Sequence, residues 1–146
     1  VVPCYKTDRV YLRELLDSVL AQSYDNWELL LMDASPEWDA VATLAADAND
    51  ERVRRIELSG NGGIVLNTNA GIEQATGDYI AFLDHDDILE PDALFHYVSA
   101  LNKAADGRAS PGPVLRRGHV PENRGSGASR SLRRDSTSTC SIAITA

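Results

Sequence analysis

Cysteine is scarce in this chain. Cys4 and Cys140 stand near opposite ends and match no zinc, haem or dithiol spacing. That speaks against a disulfide-stapled scaffold and a cysteine metal site; it leaves two unpaired thiols in a reducing compartment, by default the cytosol. Long apolar runs are lacking too. Nothing approaches the roughly 18 residues of a membrane helix, and no basic-then-apolar leader opens the sequence. Aromatic residues are missing after Tyr97, and positive charge is short before Asp106. The 146 residues carry a net charge of -8, but residues 1–105 hold 7 Lys+Arg against 19 Asp+Glu, whereas 106–146 hold 7 Arg against 3 acids. An acidic body repels nucleic-acid phosphates, so no nucleic acid is expected as a partner. One phosphate ligand held through a metal ion stays compatible with it. Residues 106–146 are dense in Ser, Gly, Arg and Pro, with no sustained period. Such text buries too little apolar surface to offset its chain entropy, which predicts one folded part over 1–105 and a disordered basic tail over 106–146.

What is present is a regular alternation. The opening "VVP" reads as the second half of a strand, so the chain is expected to be a fragment. From Asp8 to Ser23, Leu12, Leu15, Leu16, Val19 and Leu20 recur at helical spacing behind a Thr7 or Asp8 cap. "WELLLM" (27–32), "VRRIEL" (53–58) and "DYIAFLD" (78–84) are runs of strand length. Helices are expected over 36–48, 63–75 and 91–104, with Pro36 and Pro91 in first turns and Gly77 as a stop. The repeated β-α order predicts an α/β fold, a mostly parallel Rossmann-like sheet with helices on both faces. Ligands of such sheets bind beyond the carboxyl ends of the strands. Asp8, Asp33, Asn61 and the acids at 84–87 should therefore share one edge.

In "YIAFLDHDDILEP" an apolar strand runs straight into Asp84, Asp86 and Asp87. Three carboxylates cannot all stay ionised in a desolvated pocket without compensation. A divalent cation resolves the conflict, and hard oxygens suit Mg²⁺ or Mn²⁺, which take further ligands from substrate phosphates. Strand alternation would aim Asp84 and Asp86 one way and Asp87 the other. Other readings stay open: "DDILEP" also suits the cap of the next helix, Asp33 the cap of the helix near Pro36, and Asn61-Gly62-Gly63 a plain turn. His85 either tunes the acidic site or faces solvent.

Taken together, "VVPCYKTDRVYLRELLDSVLAQSYDNWELLLMDAS" and "NGGIVLNTNAGIEQATGDYIAFLDHDD" resemble the inverting nucleotide-sugar glycosyltransferases of family 2, which share the GT-A fold. The first carries the family's opening strand, Pro-x-Tyr loop and Ser-Val-x-x-Gln-Ser-Tyr helix end. The second carries its Asn-x-Gly, its Asn-x-Gly-Ile helix and its Asp-x-Asp strand. The match covers about residues 1–105, and "LDHDD" is similar to members that put rhamnose or related sugars on bacterial surface polysaccharide. The resemblance implies that Pro3, Tyr5 and Asp33 hold the nucleotide base and ribose. It places Asn61 and Gly63 in the pocket wall and Asn69 on the helix behind it. It implies that Asp86 contacts a metal ion on the donor diphosphate, with Asp84 close to ribose and metal. Ala34 departs from the second Asp that many members carry there. The implied partners are a nucleotide-diphosphate sugar donor and a saccharide or lipid-linked saccharide acceptor, the implied place the cytoplasm, peripheral at the inner face of a membrane.

The family's catalytic base, an Asp or Glu well beyond the Asp-x-Asp strand, has no counterpart. Glu122 and Asp135 are the only acids past Asp106, and neither has a fitting context. A reading-frame change near residues 104–110 is the expectation that explains this, leaving a donor-binding half with its fourth strand at an edge or without a neighbour, and marginal stability. Two readings compete: a non-catalytic nucleotide- and metal-binding remnant, and another metal-dependent phosphate-handling α/β enzyme. Haloacid-dehalogenase-type phosphatases put an Asp-x-Asp on the first strand rather than the fourth. Sugar nucleotidyltransferases need a Gly-rich, basic opening loop that "PCYKTD" lacks.

Overall fold

A computed structural model describes residues 1–105, 115–116 and 140–144 of the chain. The elements run β1 (Val2–Cys4), α1 (Arg9–Leu20), β2 (Trp27–Asp33), α2 (Ala40–Ala48), β3 (Val53–Glu57), α3 (Gly63–Gln74), β4 (Tyr79–Phe82), α4 (Ala93–Ala105), β5 (Leu115–Arg116) and β6 (Cys140–Ile144). The β-α alternation over 1–105 is as expected. The start of α2 moves inward for a local reason: Trp38 N–H donates to Ser35 O in a turn, so α2 starts at Ala40 rather than near Pro36.

β2 is the centre of the sheet. It pairs in parallel with β1 through Leu31–Asp33 and with β3 through Leu29–Asp33. Its alternate side chains feed two cores. Leu29 and Leu31 join Leu12, Leu15, Leu16, Val41, Leu44 and Leu94 from α1, α2 and α4 on one face. Leu30 and Met32 meet Val1, Ala75 and Ile80 on the other, beneath α3. Burial on both faces is why "WELLLM" is continuous rather than alternating.

The sheet order is β1-β2-β6-β4-β5, with β3 on the far side of β2. β6 runs antiparallel to both β2 and β4, so β2 and β4 point the same way and their carboxyl ends share one edge. Contrary to the expectation that the fourth strand would be an edge or lack a neighbour, β5 and β6 flank β4 on both sides. The physical reason is that a central strand's N–H and C=O groups need partners. "CSIAI", with Ile142 and Ile144 two apart, is a competent strand inside text that otherwise lacks a period. The remainder of the expected disordered tail, with Glu122, Asp135 and the frame-change region past Asp106, lies outside the described residues. Among the described residues no helix is long and apolar enough to cross a membrane.

Candidate functional site

A cleft of about 380 Å³ opens at the carboxyl edge of β1 and β4. Its lining is Pro3, Tyr5, Asn61, Gly63, Ile64, Asn67, Asp84, His85 and Asp86. The size falls in the range of small-ligand clefts, roughly 300–1,000 Å³. Six of the expected site residues thus come together: Pro3, Tyr5, Asn61, Gly63, Asp84 and Asp86.

The acidic segment is not the end of an alternating strand. β4 stops at Phe82, and Asp87 N–H donates to Asp84 O at 3.1 Å, closing a turn over Asp84–Asp87. The turn replaces the two-residue period. Asp84, His85 and Asp86 all reach the cleft, and Asp87 does not line it. Of the two readings the sequence left open for His85, the structure places it in the cleft, because a turn, unlike a strand, does not send neighbouring side chains to opposite faces.

The chain leaving this turn is clamped by the end of α1. Ser18 Oγ accepts from Leu89 N–H at 3.1 Å, and Gln22 Nε2 donates to Glu90 O at 2.7 Å. Gln22 Oε1 accepts from Leu94 N–H at 3.0 Å, and Ser23 N–H donates to Pro91 O at 2.9 Å. Gln22 is buried, and its bond with Leu94 N–H is made away from water. The Ser-Val-x-x-Gln-Ser stretch, distant in sequence, therefore fixes where the acidic turn sits.

Burial raises the pKa of the Asp84 carboxyl, with the negative charges of Asp87 and Asp86 adding to it and His85 opposing. Two carboxylates are the chemistry Mg²⁺ or Mn²⁺ uses when phosphates and water complete the shell. Asp84 and Asp86 fit that role. Among the described residues no three His, Cys, Asp or Glu side chains form a metal cage on their own.

The opposite wall is a turn locked by two asparagines. Asn61 Oδ1 accepts from Gly63 N–H at 2.9 Å and from Asn67 Nδ2 at 3.1 Å, while Asn67 Oδ1 accepts from Gly62 N–H at 3.1 Å. Gly63 has φ +81°, which a side chain would strain. Asn67 was missed by the sequence reading. It sits four residues before buried Gly71, on the inner face of α3, whereas the predicted Asn69 is exposed and does not line the cleft. That i, i+4 pairing was the available signal.

Asp33 is not in the lining either. Its side chain is fully buried: Oδ1 accepts from Ser35 N–H at 3.0 Å, and Oδ2 from Arg55 Nε and a terminal Arg55 nitrogen, each at 2.8 Å. Ser35 Oγ in turn accepts from Lys6 N–H at 2.8 Å, holding the loop that carries Tyr5, where Lys6 takes φ 49°. Asp8 caps α1 by accepting from Val10 N–H at 2.7 Å and stays out of the cleft. Cys4 is free and buried, with its thiol pushed up to about 12 by burial, an inert core residue.

Comparison with known proteins bears on this geometry. A 111-residue stretch is 45% identical to the uncharacterized protein y4gI of Sinorhizobium fredii, covering 74% of this chain and 12% of that protein. A 95-residue stretch is 34% identical to the putative teichuronic acid biosynthesis glycosyltransferase TuaG of Bacillus subtilis, covering 64% of this chain and 37% of that one. The chain thus spans well under two thirds of these relatives. Among solved structures, S. aureus TarS 1-349 in complex with UDP superposes with a TM-score of 0.64 at 24% identity, over 70% of this chain and 31% of that chain. The mannosyltransferase PcManGT of Pyrobaculum calidifontis, in complex with GDP-Man and Mn2+, gives 0.55 at 23%, over 75% of this chain and 31% of that chain. At such identities the likeness concerns the fold, and it bears out the expected GT-A architecture. The family model for "Glycosyl transferase family 2" matches residues 1–138, past the point where the sequence reading ended its resemblance. With nearly the whole chain matched in this way, the protein belongs to glycosyl transferase family 2.

Proposed function

We propose that this chain is the donor-binding part of an inverting glycosyltransferase, moving a sugar from a nucleotide-diphosphate sugar to a saccharide or lipid-linked saccharide acceptor in cell-surface polysaccharide synthesis. The observation that carries this is the meeting of two acidic side chains and the start of α3 across one small-ligand cleft. A diphosphate suits both walls. α3 begins at Gly63 with no side-chain cap at Gly62, and Asn61 and Asn67 take only the Gly62 and Gly63 N–H groups. The next N–H groups, without intrahelical partners, and the helix dipole favour an anion there. Asp84 and Asp86 would hold Mn²⁺ or Mg²⁺, which when bound supplies Lewis-acid stabilisation of the leaving diphosphate. Pro3 and Tyr5 form the wall for base and ribose. Asp33 serves from behind, through Ser35 and Lys6, by setting the Tyr5 loop. Asn69, exposed on α3, keeps no direct role.

In this reading the acceptor hydroxyl displaces the nucleoside diphosphate in line at the anomeric carbon, its proton passing to a base. No described residue is assigned as that base. The name of TuaG supports the polysaccharide setting, and the UDP and GDP-Man complexes of TarS and PcManGT support a nucleotide-sugar donor. Calorimetric titration of the chain with UDP, dTDP and GDP, with and without Mn²⁺, tests the proposal. At least one nucleotide should bind about tenfold or more tightly with metal present. Hydrolysis of a simple phosphomonoester without nucleotide binding would point to a phosphatase instead.

A further inference from the structure

We propose that His85 is a donor-binding residue whose ring Nε2–H donates a hydrogen bond to a diphosphate oxygen of the nucleotide. The inference rests on the reading of the cleft as a nucleotide-diphosphate site and goes one residue beyond it. The turn over Asp84–Asp87 brings His85 to the lining of the cleft together with Asp84 and Asp86. The ring is half-buried, and its inward nitrogen, Nδ1, is buried with no hydrogen-bond partner among the described residues. A neutral imidazole carries one N–H and one bare lone pair. An N–H buried without an acceptor is the costlier of the two to leave unmet, since buried donors are almost always paired. The bare lone pair therefore belongs on Nδ1 and the proton on Nε2, which leaves that N–H for a ligand of the cleft His85 lines. Carboxylates can only accept, and so can phosphate oxygens at neutral pH; an anion entering between Asp84 and Asp86 needs a donor from the same turn. His85 is the side chain of that turn able to supply one.

Asparagine and glutamine separate the two nitrogens, because Asn places its amide near the Nδ1 position and Gln reaches toward Nε2. Calorimetry uses whichever of UDP, dTDP and GDP the parent binds with Mn²⁺. His85→Phe should weaken binding about tenfold, the worth of one charge-assisted hydrogen bond. His85→Gln should stay within about threefold of the parent, and His85→Asn should resemble His85→Phe. Thermal melts of all three establish that they fold. A His85→Phe variant that binds like the parent overturns the proposal and leaves the donor site standing. Rescue by Asn rather than Gln overturns the nitrogen assignment and so the proposal as stated. Should the parent itself bind no nucleotide, the donor-site reading falls and this inference falls with it.

Discussion

Gly71→Ala should destabilise the protein even though alanine is the better helix former. Gly71 lies on α3 where the helix presses on β1 and β2. A methyl built there falls 2.1 Å from Val1 Cγ1, 3.0 Å from Val1 Cγ2 and 3.1 Å from Met32 Cγ. Carbon atoms pack at roughly 3.5–4.0 Å, so the worst overlap exceeds about 1 Å. Rotating Val1 offers little relief: β-branched side chains are stiff, the second methyl is already close, and Val1 is fully buried. Alanine gains about 1 kcal/mol of helix propensity. Overpacking costs about 1–3 kcal/mol, and contact on two residues puts this site near the upper end. The net is a loss of about 1–2 kcal/mol, or a Tm lower by roughly 4–15 °C in a domain of this size. α3 also carries Gly63, Ile64 and Asn67 into the cleft, so a helix lifted off β1 should weaken nucleotide binding in parallel. Circular-dichroism melts and the nucleotide titration measure both effects. An unchanged or higher Tm would refute the argument, because propensity would have won and α3 would not be seated against Val1.

Two further outcomes follow from the ion pairs. Arg55→Met strands the fully buried Asp33 carboxylate and should cost about 3–5 kcal/mol in urea denaturation, while adding Asp33→Asn should recover part of it; equal stability of parent and single variant would contradict the pairing. Burial opposes ionisation of Glu28, yet hydrogen bonds from Thr76 N–H, Thr76 Oγ1, Gly77 N–H and Arg54 outweigh it and lower its pKa. A depressed carboxylate contributes stability that is present above its unfolded pKa, about 4.3, and lost as pH falls through the lower folded value. Glu28→Gln should therefore be about 1 kcal/mol less stable than the parent at pH 7, with the gap closing below about pH 4; a gap independent of pH would mean the charge does not matter.

The elements of 1–105 were legible because β2 and β4 are apolar runs of strand length and the segments between the strands have helical length and spacing. "VRRIEL" and β3, or "GIVLNTNAGIEQA" and α3, agree to within a residue. The neighbours of β4 were not, because β6 is a short β-branched piece inside low-complexity text and pairs with strands more than 50 positions away. The cleft's acids and its Asn-Gly-Gly wall were legible as motifs. His85 and Asn67 were not, since their place depends on a turn and on a helix rotation that spacing alone does not fix. Asp33 carried a motif position, but its carboxylate is consumed by Arg55, a partner brought near only by the β2–β3 register.

The central claim is that a divalent cation held by Asp84 and Asp86 joins the acidic turn to a nucleotide diphosphate. The most direct measurement is the Mn²⁺ dependence of nucleoside-diphosphate affinity in the parent and in Asp86→Ala, by calorimetry on the whole chain. The account predicts that manganese tightens binding to the parent by about tenfold or more and has almost no effect on the variant. Equal manganese enhancement in both proteins would contradict it.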